Sequence, residues 1–309
     1  MVTDWFASLV KFPGYNRTSG TCWMCKATYK NFKEAHGRLK ELLTTEEFLE
    51  RNTNDGRVAS VIFSLPGVDP SICRPDWMHA VDLGVTADIC GHVFMELLRV
   101  FRGKQETACA RLWRELQEWY DATRVPASNR YGKMKLSMFK KEHAAPQLSG
   151  KAIEVRTIVP FLRVMCAKYF AADNVRQGTI CGLVAHLVAC YECLDDFDAD
   201  KLEEHGQRMA ALYIALEAHA VKQNKHDTKT WRIKPKLHMF LHLCAFRDHN
   251  PRDWWCYADE SNMGTMSDLF MRHGGANRAG VNAANCLRRW MCDARFPEIR
   301  VEPAQGPSL

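Results

Sequence analysis

The sequence predicts a mainly helical fold of the α+β class, on three observations. Apolar residues recur at helical spacing through Val81, Val85, Ile89, Val93, Leu97 and Val100. The stretch from Thr179 to Tyr191 is almost wholly apolar, as a central helix buried on most sides requires. One β-branched run, Val58 to Leu65, closes at Pro66-Gly67 and reads as a buried strand or an extended segment.

The elements follow in order. Pro13-Gly14 and Ser19-Gly20 mark turns. Residues 29–51 read as helix, interrupted at Thr44-Thr45, where either threonine can cap the turn that leads into Glu46-Glu47. Asn52 to Gly56 is a turn. A helix is predicted from Met78 to about Arg102. A second runs from about Lys104 to Thr123, with Leu112, Trp113, Leu116, Trp119 and Tyr120 on its apolar side. Residues 124–150 are polar and basic and read as a loop-rich excursion. Further helices are expected over 154–171, 175–195, 200–223, 235–246, 258–272 and 282–293. The stretch after Phe296 carries three prolines and a glycine and reads as a disordered tail. The expected organisation is one domain over 1–295 followed by the tail 296–309, with no internal repeat.

A chain of 309 residues can bury a substantial core. Its 47% hydrophobic and 25% charged residues are ordinary for a soluble globular protein. No apolar run approaches the ~20 residues of a membrane span, so no membrane partner is expected. The opening MVTDWFASLVKFPGY lacks the basic-then-apolar order of a secretory signal. With 13 cysteines, an odd number, the chain suits a reducing intracellular compartment with free thiols and a metal site. The net charge of +6 permits a polyanion partner without requiring one.

Five constellations carry chemistry. Cys22-x-x-Cys25 is half of a zinc site, because two thiolates at this spacing can chelate one ion from a tight turn. Two more ligands are needed, and Cys73, His79, His36 and distant cysteines are candidates. In Asp76-Trp-Met-His79, Asp76 follows Pro75 and precedes a helix, so it is a natural N-cap. Asp82, nearby, is favoured by the helix dipole. In Lys234-Pro-Lys-Leu-His238-Met-Phe-Leu-His242 the two histidines share one helix face. No Glu follows His238, so protease chemistry is not indicated and the pair reads as structural. Trp254-Trp255-Cys-Tyr257-Ala-Asp259-Glu260 leads an aromatic anchor into two carboxylates, and rigid carboxylates are what divalent-metal nucleases need. Two basic clusters, Lys133, Lys135, Lys140, Lys141 and His143, and Lys222, Lys225, His226, Lys229, Arg232, Lys234 and Lys236, suit solvated faces or phosphate contacts.

Four of these segments, in order over roughly residues 3–275, resemble the transposases of eukaryotic cut-and-paste DNA transposons, CACTA-related members of the ribonuclease-H-like superfamily. T-D-W…S-G-T-C-W-M-C-K-A is similar to the region around the second catalytic Asp, and R-P-D-W-M-H-A-V-D-L-G-V to the D-x-M-H block. K-P-K-L-H-M-F-L-H-L resembles the P-K-x-H-x-x-x-H-L block, and Y-A-D-E-S-N-M-G the segment of the final Glu. The resemblance implies a remnant of a ribonuclease-H-like core with a large helical insertion, roughly 85–235. It implies Asp4 and Glu260 as catalytic acids that hold Mg²⁺ or Mn²⁺, with Asp259 as the alternative to Glu260. Asp76 and His79 would organise the site. Two metals would drive DNA cleavage and strand transfer by in-line phosphoryl transfer. DNA is the implied partner, the nucleus the implied location, and homo-oligomers are allowed. The family uses three acids, and only Met1-Val2-Thr3 precedes Asp4, so the chain is expected to start inside the catalytic core and to be inactive alone. The alternative is a non-catalytic helical scaffold that binds nucleic acid or protein, stabilised by zinc at Cys22 and Cys25.

Overall fold

The computed structural model describes residues 74–257, apart from 141, 172 and 224–228, together with 22, 24–27, 32, 42–47 and 50. The chain divides into two compact units, Met1–Cys256 and Tyr257–Leu309, and the second contributes only Tyr257 to the described residues. Outside them lie Asp4, Asp259 and Glu260, the predicted strand Val58–Leu65, most of the predicted helix 29–51, the helices 258–272 and 282–293, and the tail.

The described fold is helical, as expected. After a π-helix over Met78–Thr86 come α1 (Ala87–Phe101), α2 (Gln105–Ala122), α3 (Ala152–Thr157), α4 (Val159–Tyr169), α5 (Val175–Asp195), α6 (Ala199–Gln223) and α7 (Lys236–Ala245). Among the described residues the only β pairing is an isolated bridge between Cys25 and Leu42.

The predicted helix from Met78 to Arg102 is therefore two elements. Its first nine residues coil as a π-helix, and seven of the nine are buried, because α1, α3 and α7 surround this segment. Lys236 packs over Gly84 so closely that a Cβ there would lie 2.5 Å from its Cδ. Helical spacing alone does not reveal the wider winding.

At the centre, α5 and α6 form the most extensive helix pair. Asn174 caps α5 by accepting the Gln177 N–H, and Asp198 caps α6 by accepting the Lys201 N–H. The link between them is too short for anything but a hairpin. The apolar run predicted to be buried does face inward through Ile180, Leu183, Val184, Leu187 and Val188. By length and composition α5 would also pass as a membrane-spanning segment, but its apolarity is accounted for by packing against α4 and α6.

The loop-rich excursion 124–150 holds two short 3₁₀ turns, Ala127–Asn129 and Leu136–Met138, and is tied down. Leu148 N–H donates to Ala87 O, Phe139 meets Phe94 edge-on, and Gly91 lets Gln147 approach, where a Cβ would lie 2.5 Å from the Gln147 nitrogen. Near the start, Thr44 and Glu47 cap each other reciprocally, as the sequence predicts.

Candidate metal centre

Cys22 and Cys25 lie on a tight turn built by the local backbone. Cys22 N–H donates to Ala27 O, while Met24 N–H reaches the Cys22 sulfur and Ala27 N–H the Cys25 sulfur. These amide contacts suit sulfurs that carry negative charge. The bridge from Cys25 to Leu42, with Leu43 N–H on Met24 O, holds the turn from the other side.

The facing wall is α7. Its histidines, four residues apart, turn the same face towards the thiols. Cys25 Sγ is 3.2 Å from His238 Nε2, Cys22 Sγ is 3.4 Å from His242 Nε2, and the two Nε2 atoms are 3.1 Å apart. All four side chains are buried, and their ligand atoms lie within 4.8 Å of one another. Tetrahedral zinc with Zn–S of ~2.3 Å and Zn–N of ~2.0 Å would put its ligands ~3.3–3.8 Å apart, so these edges need only slight expansion. The donor set fits zinc, and this group can hold such an ion.

Electrostatics favour the same conclusion. The hydrogen bond from Cys22 lowers the Cys25 thiol well below its ordinary range, with further help from His238 and His242. That same bond and burial push Cys22 upward, so of the two thiols Cys25 is the one more readily deprotonated. Burial lowers His242, which keeps its imidazole neutral and its lone pair available. Metal binding would displace the thiol protons.

The sequence supplied the two cysteines but not their partners. Cys73 and His36 lie outside the described residues, and His79 is engaged with Asp76. The pair read as structural, His238 and His242, is the one that completes the group. Its signal was present in the i, i+4 spacing. What was missing was tertiary proximity across more than two hundred residues.

The second predicted constellation is also assembled. Asp76 caps its turn, as expected, by accepting His79 N–H at 2.8 Å on Oδ2. The same oxygen sits 2.6 Å from His79 Nδ1, and Oδ1 accepts Cys256 N–H at 2.9 Å. Burial is the largest single influence on Asp76 and raises it. The His79 ring and the two backbone donors together outweigh burial and hold the carboxyl below its ordinary value. Asp82 is fully buried and accepts from Tyr191 OH, a partner that the dipole argument did not foresee.

The aromatic anchor is present in the described part of its segment. Arg74 lies over both Phe246 and Trp254, Arg156 and Arg252 both lie over Trp255, and Trp254 Nε1–H donates to Pro75 O. The basic clusters are not uniform faces. Lys234 pairs with buried Asp88 and Lys236 donates to His79 O, so both fasten α7 to the π-helix and α1. Lys229 donates to Glu142 O, which joins the two clusters. Lys141, Lys225 and His226 lie outside the described residues.

No family model, no curated protein and no solved structure matches this chain.

Proposed function

We propose that this chain is a transposase-derived DNA-interacting core whose helical body is closed by a zinc staple. The observation that carries this reading is the pairing of the first and third resembling motifs. The C-x-x-C after Asp4 meets the H-x-x-x-H of the K-P-K-L-H block in one buried Cys2His2 group. Asp76 of the D-x-x-H pair also accepts the N–H of Cys256, the residue just before the Y-A-D-E-S-N-M-G motif in the sequence. Two short motifs matched by chance and more than two hundred residues apart have no reason to meet in space, whereas motifs that build one site do. Zinc would hold the stretch behind Asp4, and Cys256 lies four residues ahead of Glu260 in the sequence.

In this reading zinc is structural, because all four positions belong to the protein and are buried. Exposed Lys140, Lys229 and Arg232 would contact phosphates. Asp4 and Glu260 would hold Mg²⁺ or Mn²⁺. Within these 309 residues the resemblance supplies two of the three acids that the family uses, so the chain alone should bind DNA without cutting it.

The test is a DNA-binding titration at several salt concentrations, paired with a nicking assay in Mg²⁺ and Mn²⁺. The expected result is binding that weakens steeply with salt and no metal-dependent nicking. Nicking abolished by Glu260→Gln would sink the claim of inactivity while supporting the ancestry. Absence of DNA binding would favour the scaffold reading, which the same buried metal group serves equally well.

A further inference from the structure

We propose that Asp76, His79 and Cys256 bind a second divalent ion of the zinc class, separate from the Cys2His2 group. A carboxylate oxygen, an imidazole nitrogen and a thiol sulfur, one ligand atom from each residue, lie within 4.8 Å of one another. Each of these donor types is an ordinary zinc ligand. The transposase resemblance gives Asp76 and His79 an organising part and gives Cys256 none, so the inference goes beyond that reading and does not depend on it.

Three features make this a built site. The donors come from segments 180 residues apart, joined by the Cys256 N–H bond to Asp76 Oδ1. Both backbones are pinned nearby, since Trp254 Nε1–H donates to Pro75 O and Arg74 lies over Trp254. Asp76 and Cys256 are buried, at 1% and 0% exposure, while the His79 side chain reaches solvent at 19%.

That asymmetry defines the kind of site. Three protein ligands with one open side leave a fourth position for water, the arrangement of zinc sites that act on a substrate rather than hold a fold. With the ion between Asp76 Oδ2 and His79 Nδ1, Asp76 keeps its two backbone hydrogen bonds, from His79 N–H and Cys256 N–H, and still offers lone pairs to the metal. His79 Nδ1 and Asp76 Oδ2, now 2.6 Å apart, need to open to ~3.3 Å around the ion, a small side-chain rotation. Binding breaks the Cys256 S–H bond, forms a metal–sulfur bond and passes that proton to solvent, while the proton on His79 Nδ1 moves to Nε2 by way of solvent and frees the Nδ1 lone pair for the metal.

Cobalt(II) is the probe, titrated into the metal-free 309-residue chain. Thiolate-to-metal charge-transfer bands report each site, and a weakly buffered sample reports proton release. The proposal expects two equivalents for the wild type, one for Cys256→Ser, one for His79→Gln and one for Cys25→Ser. Glutamine at 79 can still donate to Asp76, so that variant guards against loss of fold, and helical circular dichroism checks all three. One equivalent that survives Cys25→Ser and vanishes in Cys256→Ser supports this site and sinks the four-ligand one. Uptake and charge-transfer intensity unchanged by both Cys256→Ser and His79→Gln overturn the proposal.

Discussion

Lys234 illustrates how a single charged residue can be misread from composition. In the sequence it belongs to a basic run. In the fold its ammonium sits 2.5 Å from the buried Asp88 carboxylate and locks the entry of α7 onto α1. Removing it would leave Asp88 buried without its cation, and the carboxyl would take up a proton, so Lys234→Ala should lower stability by about 1–3 kcal/mol in urea unfolding at neutral pH. Asp88→Asn should cost much less. Burial is the largest influence on Asp88 and pushes its carboxyl up to about 6 from an ordinary 3.8. The native state therefore binds the proton more tightly than the unfolded chain between those values. Stability contributed by Asp88 falls as pH rises through that window. A urea midpoint measured from pH 4 to pH 6.5 should lose this fall in Asp88→Asn. Asp76 works in the opposite sense, contributing stability above its ordinary pKa and losing it as pH drops below. The cap at Asp76 was legible because capping is local. The ion pair at Asp88 was not, because its partner is 146 residues away.

At the scale of elements, α5, α6 and α7 fall within a residue or so of their predicted bounds because their apolar periodicity is strong, whereas the single helix predicted over 154–171 is two, α3 and α4, parted at Ile158 ahead of Pro160. The π-helix was not legible, because side-chain spacing over nine residues barely distinguishes it from an α-helix. Nor was the contact that sets α6 against α7. Gly206 lies where a Cβ would stand 2.6 Å from Cys244 Sγ and 2.8 Å from its Cβ. The second of these is next to backbone and cannot swing away. Gly206→Ala should cost ~1–3 kcal/mol from overpacking, partly offset by the ~1 kcal/mol that alanine gains in a helix. Because Cys244 is two residues beyond His242, the same substitution should speed zinc loss to a chelator. Chelator-induced release followed with a zinc dye would check this, and an unchanged release rate would separate the helix contact from the metal group.

For the whole molecule, the buried group that can hold a metal joins the turn carrying Cys22 and Cys25 to a helix more than two hundred residues later. The order of motifs was readable from the sequence, and the resemblance it suggests gives Asp4, Asp76, His79 and Glu260 one site but gives His238 and His242 no part in it. The Cys2His2 grouping itself required the fold. Structural zinc in small sites contributes on the order of 10 kcal/mol, so metal removal should lower the melting temperature and free residues 22–27 for proteolysis ahead of the helical body. Limited proteolysis with and without chelator, read by mass spectrometry, should place the first new cuts there. The most direct measurement is zinc-edge X-ray absorption on the chain loaded with one equivalent of zinc. Two sulfur neighbours at ~2.3 Å and two nitrogen neighbours at ~2.0 Å are expected, with sulfur lost in Cys25→Ser. A shell of oxygen and nitrogen alone, or a sulfur signal untouched by Cys25→Ser, would contradict the Cys2His2 centre.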